Sequence, residues 1–86
     1  MKITITLFGA LREADPSGRL QLDVPEGCRI SALREHLIAH LATHVPTVSA
    51  ALVRRSAFGT DDAILHDADA VPTDGQLVVL PPVGGG

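Results

Sequence analysis

The sequence predicts an α+β fold, a mixed sheet of four to five strands with one main helix packed on one face. Three observations carry this expectation. Two stretches, residues 2–8 and 20–24, alternate apolar and polar side chains, with a turn signal between them. One stretch, from residue 31 toward Pro46, places apolar residues at helical spacing. The last, residues 76–80, is an apolar run of strand length. Hairpin, helix and further strands, in that order, bury the helix stripe and one sheet face together.

Each element follows from its residues. Ile3, Thr4, Ile5 and Thr6 give the first strand its β-branched, half-buried pattern. Asp15-Pro16-Ser17-Gly18 is a turn, since Pro presets φ and Gly accepts positive φ. Leu20, Leu22 and Val24 alternate with Gln21 and Asp23 in a second strand ending at Pro25, so the first two strands pair as a hairpin. Pro25-Glu26-Gly27 turns the chain again. Ser31 is the expected helix N-cap, although Arg34 stands where a capping box has Glu or Gln. Leu33, Leu37, Ile38 and Leu41 form the apolar stripe, and Pro46 stops the helix. Ala50-Ala51-Leu52-Val53 reads as a third strand and Gly59-Thr60-Asp61-Asp62 as a loop. Residues 63–71 fit a short strand, a 3₁₀ turn or both. Pro72-Thr73-Asp74-Gly75 is a strong turn signal. Residues 76–80 then form a strand expected to be buried on both faces and central, beside the first strand. This order is the β-grasp, or ubiquitin-like, arrangement, with a domain over residues 1–80 and a tail over 81–86.

Composition narrows the function. A chain of 86 residues and 9.0 kDa makes one domain that buries roughly 8,000 Å² on folding, which leaves little room for an enclosed active site. With 45% hydrophobic and 20% charged residues it is globular. It has no Trp or Tyr and two Phe, so Leu, Val, Ile and Ala must build the core. A single cysteine, Cys28, excludes a disulfide framework, a zinc ribbon and a Cys-ligated iron–sulfur cluster within one chain. Few aromatics and a net charge of −3 argue against nucleic-acid binding. No apolar run approaches the ~20 residues of a membrane span. The first residues read as a strand and not as a signal peptide, so a cytoplasmic location is expected.

Glycine is the odd count, with three of eight at residues 84–86. A fraying end is the ordinary reading of such a stretch. Three features favour a working tail. Pro81 cannot donate to a ladder and ends the strand. Pro81-Pro82 favours the stiff polyproline II form. Residues 81–86 reach about 20 Å when extended, and glycines without a Cβ make the thinnest peptide and leave a terminal carboxylate open to attack. An activatable tail is the result.

Other constellations are weaker. His36, His40 and His44 stand at i, i+4 and i+8. Two such histidines can share a metal on a helix, but a polar stripe beside the apolar face is the simpler reading, and no metal site is expected. Cys28 reads as a small buried residue. Asp61-Asp62 and Asp67/Asp69 lack the ligand spacing of a calcium loop. Arg54-Arg55 fit an exposed strand end.

Three segments resemble the family of molybdopterin synthase small subunits, the MoaD type within the MoaD/ThiS ubiquitin-like group. They are Leu7-Phe8-Gly9-Ala10-Leu11-Arg12-Glu13-Ala14, the stretch from Val24 to Arg34, and Asp74-Gly75-Gln76-Leu77-Val78-Val79-Leu80-Pro81-Pro82-Val83-Gly84-Gly85-Gly86. The Pro-Pro-Val-x-Gly-Gly ending is the specific one. Gly84 departs from the usual Ser or Thr, and residues 53–70 depart most.

The resemblance implies that a ubiquitin-activating-enzyme-like adenylyltransferase uses ATP to activate Gly86. A sulfurtransferase system then supplies sulfur to give a thiocarboxylate. The tail would donate that sulfur to cyclic pyranopterin monophosphate in a large catalytic subunit, forming the dithiolene of molybdopterin. The family assembly is two small and two large subunits. Catalytic side chains would lie on the large subunit, and this chain would bind no cofactor itself. Gly86 would be the reactive group, Pro81, Pro82, Val83, Gly84 and Gly85 its leash, and Phe8, Arg12 and Leu80 a docking patch. Core packing would equally explain Phe8 and Leu80, and a solvated charge Arg12. Alternatives are a carrier for thiamine thiazole or another sulfur metabolite, a ubiquitin-like modifier attached through Gly86, and an interaction domain with incidental glycines.

Overall fold

The computed structural model describes residues 1–82, and the tail positions Val83, Gly84, Gly85 and Gly86 lie outside the described residues. Strands β1 (Lys2–Leu7) and β2 (Arg19–Asp23) form the expected antiparallel hairpin, Ile5 facing Leu20. Helix α1 (Ile30–His44) follows, then a short helix α2 (Ala50–Arg55) and strands β3 (Ala57–Gly59), β4 (Ile64–Leu65) and β5 (Gln76–Leu80). The sheet order is β2-β1-β5-β3-β4. β5 runs parallel to β1 and antiparallel to β3, so it is the central strand. This is the β-grasp architecture.

Alternation explains the core. Ile3, Ile5 and Leu7 of β1 and Leu77 and Val79 of β5 point inward, and Ile30, Leu33, Leu37 and Leu41 of α1 pack in the same buried cluster with Phe58. α1 ends at His44, before Pro46.

Four local expectations are corrected. Arg29, not Ser31, occupies the N-cap, and no side chain caps the helix. Instead the Ile30 N–H donates to the Asp69 carbonyl at 2.8 Å and the Ser31 N–H to the Asp67 carbonyl at 3.1 Å. A distant loop thus satisfies the helix's free donors, leaving no role for a hydroxyl. Residues 50–53 are helical, not a strand. The Ser49 hydroxyl accepts the Leu52 N–H at 3.1 Å, and the alanines that follow favour helix. Arg54 and Arg55 therefore lie in the last turn of α2, where Arg54 pairs with Glu35 at 2.7 Å. β5 is buried on one face only: Val78 and Leu80 are half-buried, because among the described residues no second layer covers the outer face of the sheet. The long connection after β1 also holds a 3₁₀ segment, Gly9–Ala14, which buries Leu11 and Ala14. Residues 63–71 resolve into β4, a turn and a single bridge from Ala70 to Arg29.

Gly75 is required where the chain enters β5. Its φ is +71°, and a Cβ there would stand 2.8 Å from the Lys2 carbonyl oxygen. The Thr4 N–H donates to the Gly75 carbonyl at 2.7 Å, which pins the start of the β1–β5 pairing.

Candidate functional site: the sheet end that carries the tail

The tail leaves from the end of the central strand, so the site is built from what surrounds Leu80. Leu7 pairs with Val79 in the parallel β1–β5 register, and Ala57 of β3 pairs with Leu80. Phe8 keeps extended backbone (φ −127°, ψ 157°). It therefore continues the alternation of β1 and turns outward, like Thr4 and Thr6. Phe8 is 43% exposed, so core packing does not account for it. The outer face at this end is a row of Phe8, half-buried Leu80 and half-buried Ala57. A second row, Thr6, Val78, Gly59 and 53% exposed Ile64, lies beside it. Phe8 and Ile64 are thus the exposed large apolar side chains of this face among the described residues, three strands apart in the sheet.

Pro81 and Pro82 are half-buried. Pro81 sits against Gly9, whose φ of +57° begins the 3₁₀ segment. A Cβ on Gly9 would meet the Pro81 Cγ at 2.8 Å. The Pro81 ring thus packs on the chain at position 9 so closely that the smallest residue is needed there. Nothing in the hydrophobic pattern points to Gly9, because the signal is a close approach between segments far apart in sequence.

Arg12, exposed on the 3₁₀ segment, extends over the Asp15–Gly18 turn. Its Nε lies 3.5 Å from the place a Cβ of Gly18 would take. Phe8, Leu80 and Pro81 are therefore brought together, with Arg12 over the neighbouring turn. The expected reactive group, Gly86, and leash positions Val83, Gly84 and Gly85 lie outside the described residues.

The remaining candidates fall elsewhere. Cys28 is half-exposed and not the buried residue expected, and burial, partly opposed by the N-terminal ammonium, raises its thiol pKa. Such a thiol is a poor nucleophile at neutral pH. Burial first, and His44 second, lower the pKa of His40. Asp61 and Asp62 are exposed, whereas Asp67 pairs with Arg34 at 3.0 Å. Among the described residues, no group of three or more His, Cys, Asp or Glu could hold a metal, and no helix is long and apolar enough to cross a membrane. A depression lined by Asp15, Ser17, Arg19, Leu20 and His40 among others is an open groove.

Comparison with known proteins bears on this geometry. The ThiS family profile matches residues 5–86. A curated protein of Synechococcus elongatus, "Molybdopterin synthase sulfur carrier subunit", is 35% identical over 89 residues, covering 98% of this chain and 96% of that protein. The crystal structure of SAMP1 from Haloferax volcanii superposes with a TM-score of 0.68 at 20% identity, over the full length of both chains. That last likeness is one of fold.

Proposed function

The chain belongs to the ThiS family, and we propose that it is a sulfur carrier of molybdopterin synthesis whose loaded group is Gly86. The observation that carries this reading is the position of β5. The strand that leads into the tail is the central strand of the sheet, and its last residue lies beside exposed Phe8. A rigid base and an apolar collar suit a chain end that is inserted into another protein. The full-length similarity to a sulfur carrier subunit supports the chemistry.

On this reading the Gly86 carboxylate attacks the α-phosphorus of ATP in a partner adenylyltransferase, and pyrophosphate leaves. Sulfide supplied by a sulfurtransferase system then attacks the acyl carbon, AMP leaves, and the product is a thiocarboxylate. Its C–S⁻ group, nucleophilic at neutral pH, attacks cyclic pyranopterin monophosphate in the large subunit; water then cleaves the acyl–sulfur bond and restores the Gly86 carboxylate, and a second loaded chain delivers the second sulfur of the dithiolene. ATP is consumed by the partner, and the catalytic side chains are the large subunit's. This chain supplies the anchored tail and the outer-face row of Phe8, Leu80 and Ala57 for docking, with Arg12 beside it. Pro81 and Pro82 start the leash, and Val83, Gly84 and Gly85 thread it.

The test is dithiolene formation from the pterin precursor with the loaded chain and the large subunit. Molybdopterin accumulates with the intact chain, falls with Phe8→Asp and vanishes when Gly85 and Gly86 are removed. A loaded chain that yields no dithiolene but passes its sulfur to another acceptor overturns the assignment to molybdopterin.

A further inference from the structure

The carboxyl half of α1 carries a constellation that sulfur carriage does not use. His36, His40 and His44 recur every four residues along the helix. Residues four apart stand one above the other on a helix. The His40 and His44 rings do so with centroids 4.4 Å apart and planes tilted by 40°. His40 is half-buried and His44 is exposed in the last turn, so the pair is open to solvent on one side. None of the ion pairs among the described residues involves either ring.

We propose that His40 and His44 form a two-imidazole site for a divalent transition-metal ion of the Zn²⁺, Ni²⁺ and Cu²⁺ class. Imidazole nitrogen suits these ions, and Cu²⁺ binds such ligands most tightly. Metal–nitrogen bonds of about 2.0–2.1 Å need the two donor nitrogens roughly 3 Å apart. Rings whose centres are 4.4 Å apart reach that spacing by small side-chain rotations. α1 holds both side chains on one face before the ion arrives, so binding orders little. No third protein ligand is gathered among the described residues, and water completes the coordination. Asp15 lines the same groove as His40. Its carboxylate accepts the Ser17 N–H at 2.9 Å and the Ser17 hydroxyl at 2.7 Å, so it is engaged in the Asp15–Gly18 turn and is not one of the ligands. Arg19 lines the same groove.

The experiment is titration calorimetry with Ni²⁺ on the full chain carrying no histidine tag. The expected result is one ion per chain. His40→Asn and His44→Asn each weaken binding at least about tenfold, because chelation is lost, whereas His36→Asn leaves it unchanged. Ni²⁺ should also raise the melting temperature of the natural chain and not that of His44→Asn, since the pair exists only while α1 is folded. His44 is exposed, so its variant folds and the comparison stands. Absence of binding, retention of affinity in His44→Asn, or equal loss in His36→Asn overturns the site.

Discussion

Arg34 ties together the part of the chain whose sequence pattern is weakest. One guanidinium nitrogen donates to the carbonyls of Val53 at 2.9 Å, Arg54 at 3.3 Å and Ser56 at 2.6 Å. The other meets Asp67 at 3.0 Å, and the guanidinium carbon lies 5.0 Å from the centre of the Phe58 ring. The side chain is only 15% exposed. Arg34 thus bonds the carbonyls at the end of α2, that of Val53 in addition to its bond from the Ser56 N–H, and fastens α1 to the loop before Val71. Arg34→Met keeps the stem but removes these bonds and the pairing with Asp67, and is expected to cost about 1–3 kcal/mol in denaturant unfolding. A loss below ~0.5 kcal/mol, typical of an ordinary surface change, would contradict the account. Cys28 is the residue whose chemistry could be mistaken for the sulfur site. Because burial raises its pKa, iodoacetamide should modify it more slowly than free cysteine at pH 8. An equal or faster rate would show a reactive thiol that this structure does not explain.

At the scale of elements, two glycines set how β5 begins and ends. Gly75→Ala places a Cβ 2.8 Å from the Lys2 carbonyl oxygen at positive φ, and should cost about 1–3 kcal/mol because backbone must move. Gly9→Ala meets only the Pro81 ring. It should cost less, about 1–2 kcal/mol, yet slow sulfur loading by displacing the base of the tail. Equal effects of the two on stability, with loading untouched by Gly9→Ala, would refute this division. The legible elements were those with long-range period or strong punctuation. The β1–β2 alternation, the Leu33–Leu37–Leu41 stripe, Pro46 and the Pro72–Gly75 turn each act locally and appear in the structure where the residues place them. Residues 50–53 misled because four apolar residues do not distinguish strand from helix; the deciding group was the Ser49 hydroxyl. Ser31 misled because its competitor, the 67–69 loop, is distant in sequence. The site was legible in the same uneven way. Phe8 and Leu80 fall at one sheet end, but the pairing of Gly9 with Pro81 arises only once β1 and β5 lie side by side.

For the whole molecule, small size and function belong together. The core is built of aliphatic residues and one Phe, and the depression beside Asp15 and His40 is an open groove. No enclosed site is needed if the reacting atom is carried on the chain's own tail. The fold then serves to hold β5 at the centre of the sheet and to present Pro81 beside an apolar collar. The most direct test is the intact mass of the chain after incubation with the proposed partner adenylyltransferase, ATP and sulfide. Replacement of one oxygen by sulfur should add about 16 Da, and removal of Gly85 and Gly86 should abolish the gain. An unchanged mass for the intact chain under conditions that load a known carrier would contradict the central claim, as would a gain that survives loss of the two glycines.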